Sequence, residues 1–346
     1  MFNIFFDNEI IKAISCLSFS YIICFFFTKY FINYSNKSKL TQPIRKEGPK
    51  THLKEKRNTP TMGGVPIIAS VIISSLLFLD LSNPYLLSTL AIFLIFAAVG
   101  LADDLAKVIG KNSRGLRGSV KLIIQFVAIS YFFIHLGDLF YIYNSHYLYV
   151  PIFDSYIWLG LLLYLLLTNF VVVGAGNGSN LTDGLDGLVS VPLILNLIGL
   201  SVILYVSSSP DLTRMWDRID KRAAELIFFA ICIIGALLAF LFFNLKPAKI
   251  FMGDVGSLAI GSVLGVLAVI SKQEIVFFFI SLLFVIESLS VIIQVASFKI
   301  LKKRAFLMAP IHHHFEKKGW KEKKVVRIFW LSALCFNVLG LAIFLA

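Results

Sequence analysis

Residues 84–108 read "PYLLSTLAIFLIFAAVGLADDLAKV", an apolar run that closes on two adjacent carboxylates, Asp103 and Asp104. A helix of roughly 17 to 25 apolar residues crosses a hydrocarbon core of about 30 Å, and this run has that length. The pattern recurs along the whole chain. Ten such stretches can be read, at 10–32, 64–81, 84–102, 119–136, 156–174, 187–206, 225–243, 255–270, 275–298 and 325–346. They leave no room for a separate soluble unit, so 1–346 reads as one all-α, polytopic integral membrane domain. Composition agrees: 58% of the 346 residues are hydrophobic, 33 of them Phe, and a soluble fold of this size needs more polar surface to cover itself.

The first stretch is expected to be retained as a span. Lys12 is the only base before it, it exceeds the apolar core of a secretory signal, and no small-residue cleavage site follows. Cys16, Cys24, Cys232 and Cys335 all fall inside spans, without metal or disulfide spacing, and are expected to serve as packing residues. Between the fourth and fifth spans, "GDLFYIYNSHYLYVPIFD" (137–154) alternates aromatic and polar residues around Asn144 and Ser145. That pattern suggests a short external β-hairpin, or an aromatic belt at the membrane surface.

Basic residues set the orientation, because cytoplasmic loops keep an excess of Lys and Arg. Loops after odd-numbered spans carry 24 of them and loops after even-numbered spans five. The odd loops are therefore expected on the cytoplasmic side and both termini outside. The formal net charge of +12 follows in part from this asymmetry and from the anionic inner leaflet.

All the unusual polar clusters lie in odd loops: "KEKRNTPTMGG" (54–64), "ADD" (102–104), "GNGSNLTDGLDG" (176–187), "NLKPAKIFMGDVGS" (244–257) and "APIHHHFEKKGW" (309–320). Their common side points to one site. Asp103 and Asp104, as helix neighbours, point about 100° apart and are not expected to share a role from one face; Lys107 lies one turn on from both. Asp183 and Asp186 share a face, and Gly184 and Gly187 allow close approach, although Asn180, Thr182 or Asp183 could cap the sixth span. Asp254, between two glycines at the start of the eighth span, suits a helix N-terminus and equally suits Mg²⁺, which takes oxygen ligands and one or two carboxylates. Three consecutive histidines, His312, His313 and His314, cannot readily converge on one zinc ion and read instead as partners for phosphate or nucleoside. Glu287 and Gln294 share a face of the ninth span. A carboxylate at a span's centre costs about 2.5–3.5 kcal/mol, so Glu287 is expected to face protein or a polar cavity.

With these motifs in order along essentially the whole chain, the sequence resembles the phospho-N-acetylmuramoyl-pentapeptide-transferases, within the wider polyprenyl-phosphate N-acetylhexosamine-1-phosphate transferases. "TPTMGG", "ADD", "NLTDGLDG" and "FMGDVGS" are shared with the wider group; "PIHHHFEKKGW" is specific to the muramoyl-pentapeptide branch. The resemblance implies an Mg²⁺-dependent enzyme of peptidoglycan synthesis in the bacterial inner membrane, active on the cytoplasmic face. Its implied partners are UDP-N-acetylmuramoyl-pentapeptide, undecaprenyl phosphate and the lipid bilayer, with a homodimer among the possibilities and no nucleic acid.

By the same resemblance Asp254 matches the magnesium ligand, with Asp104, Asp183 and Asp186 as further candidates, and Asp103 and Asp104 match an essential acidic pair. His312, His313 and His314 match an essential histidine loop. Asn180, Asp183, Asp186, Asn244, Gly253 and Gln294 match nucleotide-side positions, and Thr61, Lys107 and Lys111 match further substrate-side positions. One departure concerns the first loop, where Asn58 stands in place of the family's usual Gly. Lys56 is the matching lysine there, with Lys54 and Arg57 as alternatives. Two rivals remain at this stage: a sister enzyme using UDP-N-acetylglucosamine, and a transporter. A transporter places its polar groups near the bilayer midplane, often in repeats; here they gather at one face and no repeat is visible.

Overall fold

The computed structural model describes residues 8–38, 59–110, 115–140, 146–209 and 219–346. Its helices are α1 (Glu9–Ser38), α2 (Gly64–Phe78), α3 (Pro84–Ile109), α4 (Gly118–Phe140), α5 (Gly160–Thr182), α6 (Ser190–Ser208), α7 (Glu225–Asn244), α8 (Gly253–Ile270), α9 (Glu274–Ile280), α10 (Leu282–Leu301), α11 (Ile311–Lys317) and α12 (Glu322–Leu345). Strands β1 (Tyr147–Val150) and β2 (Ser155–Trp158) stand between α4 and α5. Among the described residues, eight helices are long and apolar enough to cross a membrane, and Gly64–Phe78 and Gly118–Ile134 are shorter apolar helices. An all-α polytopic membrane protein results.

Helix α3 shows how local chemistry sets an element. Asn83 caps it, its side-chain oxygen accepting the Tyr85 and Leu86 N–H groups at 3.0 and 3.3 Å, and Pro84 opens the first turn. Its 26 residues then carry the chain about 39 Å at 1.5 Å per residue, so the cap and the Asp103–Asp104 pair lie towards opposite ends of the bundle.

Helix α8 is the axis of the molecule, buried along its whole length and packed chiefly against α3 and α5. Small residues make that possible. A Cβ on Gly265 would lie 2.6 Å from Val172 Cα in α5, and one on Gly256 2.8 Å from Gly64 Cα in α2. The start of α8, which carries Asp254, is thereby fixed from two sides.

Several sequence expectations are corrected. The ninth span is two helices: α9 ends at Ile280, Ser281 leaves helical geometry at φ −94° and ψ 15°, and the chain restarts at Leu282 in α10. The fifth span begins at Gly160, after β2, and runs on to Thr182. "GNGSNLT" is therefore helix rather than loop, its glycines lying against α8 and α10. Asp183 ends α5, and α6 starts at Ser190 without a side-chain cap, so Asn180, Thr182 and Asp183 do not cap it. A hairpin forms in register Tyr147↔Trp158 to Val150↔Ser155, yet its turn is Pro151–Asp154, where Asp154 takes a left-handed φ of 44°. Asn144 and Ser145 lie outside the described residues. All four cysteines are free, and Cys16, Cys24 and Cys232 are buried.

Candidate functional site

The end of α3 and the start of α8 bring three buried carboxylates together. Asp103, Asp104 and Asp254 each place an oxygen within 4.8 Å of the other two. Asp103 and Asp104 thus do share one centre, contrary to the expectation from their helical angle, because the partner lies between their two directions. Lys107 Nζ stands 2.7 Å from Asp103 Oδ2, 3.5 Å from Asp104 Oδ1 and 2.9 Å from Asp254 Oδ1. From α4, Lys121 Nζ stands 3.1 Å from Asp103 Oδ1 and 3.3 Å from Asp254 Oδ2. Backbone groups fix the acids further. The Leu116 N–H donates to Asp103 Oδ1 at 2.8 Å and the Val255 N–H to Asp104 Oδ2 at 3.2 Å.

The first and seventh loops are sewn together by main chain. Phe251 N–H donates to Pro60 O at 2.9 Å, and Gly63 and Gly64 N–H donate to Phe251 O and Met252 O, each at 2.8 Å. This seats Thr61 beside Gly253, where a Cβ would meet Thr61 Oγ1 at 3.2 Å and Asp104 Oδ2 at 2.5 Å. Gly253 also has a φ of +77°, so both space and backbone favour glycine there. Its N–H donates to Asp183 Oδ2 at 3.1 Å. Burial, with the nearby charges of Asp254 and Asp104, lifts the Asp183 carboxyl to about 7.

The fifth loop is anchored around this centre. Asn180 donates to Ser257 Oγ at 3.0 Å, and Asp186 accepts the Ala248 N–H at 3.1 Å while its own N–H donates to Glu322 at 3.1 Å. Asn244 accepts the Gly187 N–H at 3.1 Å and donates to Ile250 O at 2.9 Å.

The histidine loop is held separately, and each of its rings has its own partner. His312 Nδ1 is 3.0 Å from Glu287 Oε1, His313 Nδ1 is 2.7 Å from Glu316 Oε2, and His314 Nδ1 accepts the Leu307 N–H at 3.1 Å. Partial burial and then Lys318 beside it hold His314 below the usual imidazole range. Gln294 clamps the same loop through both its amide ends, to Phe306 N and O at 2.8 and 3.2 Å, rather than reaching towards the acids. The loop joins the centre at Gly184, where a Cβ would lie 2.3 Å from His312 Nε2.

Residues 86–272 match the family model of glycosyl transferase family 4, and residues 56–68 match signature 1 of the phospho-N-acetylmuramoyl-pentapeptide-transferases. A phospho-N-acetylmuramoyl-pentapeptide-transferase of Francisella tularensis subsp. tularensis is 43% identical over 347 residues, covering 97% of this chain and 94% of that protein. One from Campylobacter lari is 41% identical over 331 residues, covering 93% and 92%. The chain belongs to the phospho-N-acetylmuramoyl-pentapeptide-transferases. It is accordingly an enzyme of that transfer step.

Within the family's site, Lys56 and Lys111 lie outside the described residues. Lys121, Glu287 and Glu322 entered no substrate-side assignment from sequence. Lys121 left a signal: it is the lone charge in "GSVKLIIQFVAIS", and a cation on an otherwise apolar helix needs an anionic partner. Glu322 left none, since it sits among lysines in "KEKK" and only the tertiary fold turns it to Asp186 and Lys246.

Proposed function

We propose that the chain moves phospho-N-acetylmuramoyl-pentapeptide from its UDP carrier to undecaprenyl phosphate at the cytoplasmic face of a bacterial inner membrane, releasing UMP, with Mg²⁺ held by Asp103, Asp104 and Asp254. The observation that carries this is the group of three buried carboxylates within 4.8 Å of one another at a membrane-helix end. Mg²⁺ takes hard oxygen donors, keeps to few protein carboxylates and fills its shell with water and phosphate oxygens, and the donor set here is all carboxylate. When bound, the ion supplies charge neutralisation to the phosphates of the substrate.

The chain's own residues supply position and charge. Lys107 and Lys121, which bridge the acids here, are placed to turn an ammonium each towards the diphosphate as it enters. Asp103, tethered by the Leu116 N–H, holds both lysines in place, and their ammonium groups orient the incoming lipid phosphate. That phosphate has a second pKa of about 6 and is mostly dianionic at neutral pH, so no strong base is required. One of its oxygens attacks the sugar-linked phosphorus, the bond from that phosphorus to the bridging oxygen breaks, and the electron pair leaves with UMP.

Purified protein supplied with UDP-N-acetylmuramoyl-pentapeptide, undecaprenyl phosphate and Mg²⁺ is expected to release UMP and form one new lipid-linked product. Transfer from UDP-N-acetylglucosamine in its place would move the chain to the sister activity. Inversion at phosphorus is expected; retention would point to a covalent aspartyl phosphate.

A further inference from the structure

The three histidines do not face equivalent partners, and the difference fixes which nitrogen each presents. His314 Nδ1 accepts a backbone N–H from Leu307 at 3.1 Å, so its proton sits on Nε2. His312 is the reverse case: Nδ1 lies 3.0 Å from the Glu287 carboxylate, which has only lone pairs to offer. The other Glu287 oxygen accepts the Ile311 N–H at 2.9 Å. Both side chains are fully buried. His312 Nε2 is buried with no hydrogen-bond partner among the described residues and is pressed against Gly184, where no side chain would fit. A buried acceptor without a donor carries a desolvation cost that an incoming donor relieves.

We infer that Glu287 is a positioning residue that holds His312 in its Nδ1–H form and keeps Nε2 as a hydrogen-bond acceptor against Gly184, to be taken up by a hydroxyl or amide N–H of the nucleotide-sugar that displaces Gly184 from it. It rests on the reading of the chain as a nucleotide-sugar transferase whose histidine loop meets substrate. His312 thereby takes a proton-bearing group, whereas His314 is held in the opposite tautomer. Glu287 explains itself as well: its burial in a membrane helix is matched by two donors, one from backbone and one from the ring.

Glu287→Gln tests this directly. The Ile311 N–H can only donate, so the Gln oxygen must face it and the Gln amide must face Nδ1, which drives His312 to its Nε2–H form. In ¹⁵N-histidine spectra of the full-length protein in lipid nanodiscs, the parent should show His312 as Nδ1–H and the variant should show it as Nε2–H. The KM for the nucleotide-sugar should rise about 10- to 100-fold as acceptor becomes donor, with kcat and the KM for the polyprenyl phosphate within about threefold, the pattern of a lost ground-state contact. A parent spectrum with His312 protonated on Nε2, alone or together with Nδ1, overturns the inference even where the variant does not fold. So does a switched tautomer with an unchanged KM. His312→Asn separates the two levels: full activity in that variant removes the histidine loop from the reaction itself, whereas impaired His312→Asn beside a normal Glu287→Gln removes only the role given to Glu287.

Discussion

At the end of the bundle away from the acids, Lys12 donates to both oxygens of Glu225 at 2.8 Å and the Asp80 N–H adds a third bond at 2.8 Å. Both oxygens of that carboxylate are filled by donors. At the opposite end Asp103, Asp104 and Asp254 share Lys107 and Lys121, and Asp183 lies one backbone bond away through Gly253. Among the described residues acids outnumber cations there, in a setting where like charges repel strongly. A matched pair needs nothing more and serves the fold. An unmatched one is held together by the rest of the molecule, and under the proposed function Mg²⁺ completes it.

The sharpest break of that contrast is Asp254→Asn. It should lower turnover per folded molecule at least about 100-fold by removing charge stabilisation at the reacting phosphates, and it should lower the melting temperature as well, because the ion pairs to Lys107 and Lys121 are lost. Parental UMP release from the folded variant would remove Asp254 from the reaction. Lys121→Gln should act less strongly, lowering kcat about 10- to 100-fold for the loss of one charged contact. It should also lower the Mg²⁺ concentration needed for half-activity, since one competing cation is gone; a raised requirement would mean Lys121 does not compete for the acids.

At the matched end, Glu225→Gln should cost stability instead, about 1–3 kcal/mol for a partly buried pair, while turnover per folded molecule stays within about twofold. A loss of turnover with unchanged stability would erase the distinction between the two ends. The smallest effect concerns Asp183, whose carboxyl is lifted from 3.8 to about 7 by burial. A raised acid is neutral in the folded state over that window and charged in the unfolded chain, so its burial costs progressively more stability as pH rises through it. In metal-free protein, the melting temperature of Asp183→Asn should therefore pull ahead of the parent's between about pH 4 and 7 and hold its lead above that. A lead that does not change with pH would show that Asp183 is not ionising there.

The apolar stretches, and the gathering of five polar segments at one end, were legible in sequence because apolar length and loop composition are local properties of a chain in a membrane, although only eight of the described helices are long enough to cross one. Asp254 could be singled out for the same reason, since an acid between glycines at a span's start is unusual by itself. The angle between Asp103 and Asp104 misled because helical geometry describes one helix, and the partner that reconciles them enters from α8, about 150 residues on. Lys121 joined them for a similar cause. The break at Ser281 was invisible because a serine within a span usually continues the helix, and only its backbone, at φ −94° and ψ 15°, shows where it stops.

Sequence by itself determined that this chain lies in a membrane, which loops hold its chemistry, and which family it resembles, since hydrophobic runs and short motifs need no knowledge of neighbours. Tertiary structure alone decided which lysines meet which acids, which partner each histidine's Nδ1 meets, and that Glu287 stands behind His312. Those facts depend on distances of about 3 Å between groups far apart in the chain, and such distances are set by how small residues let α8 draw its neighbours in.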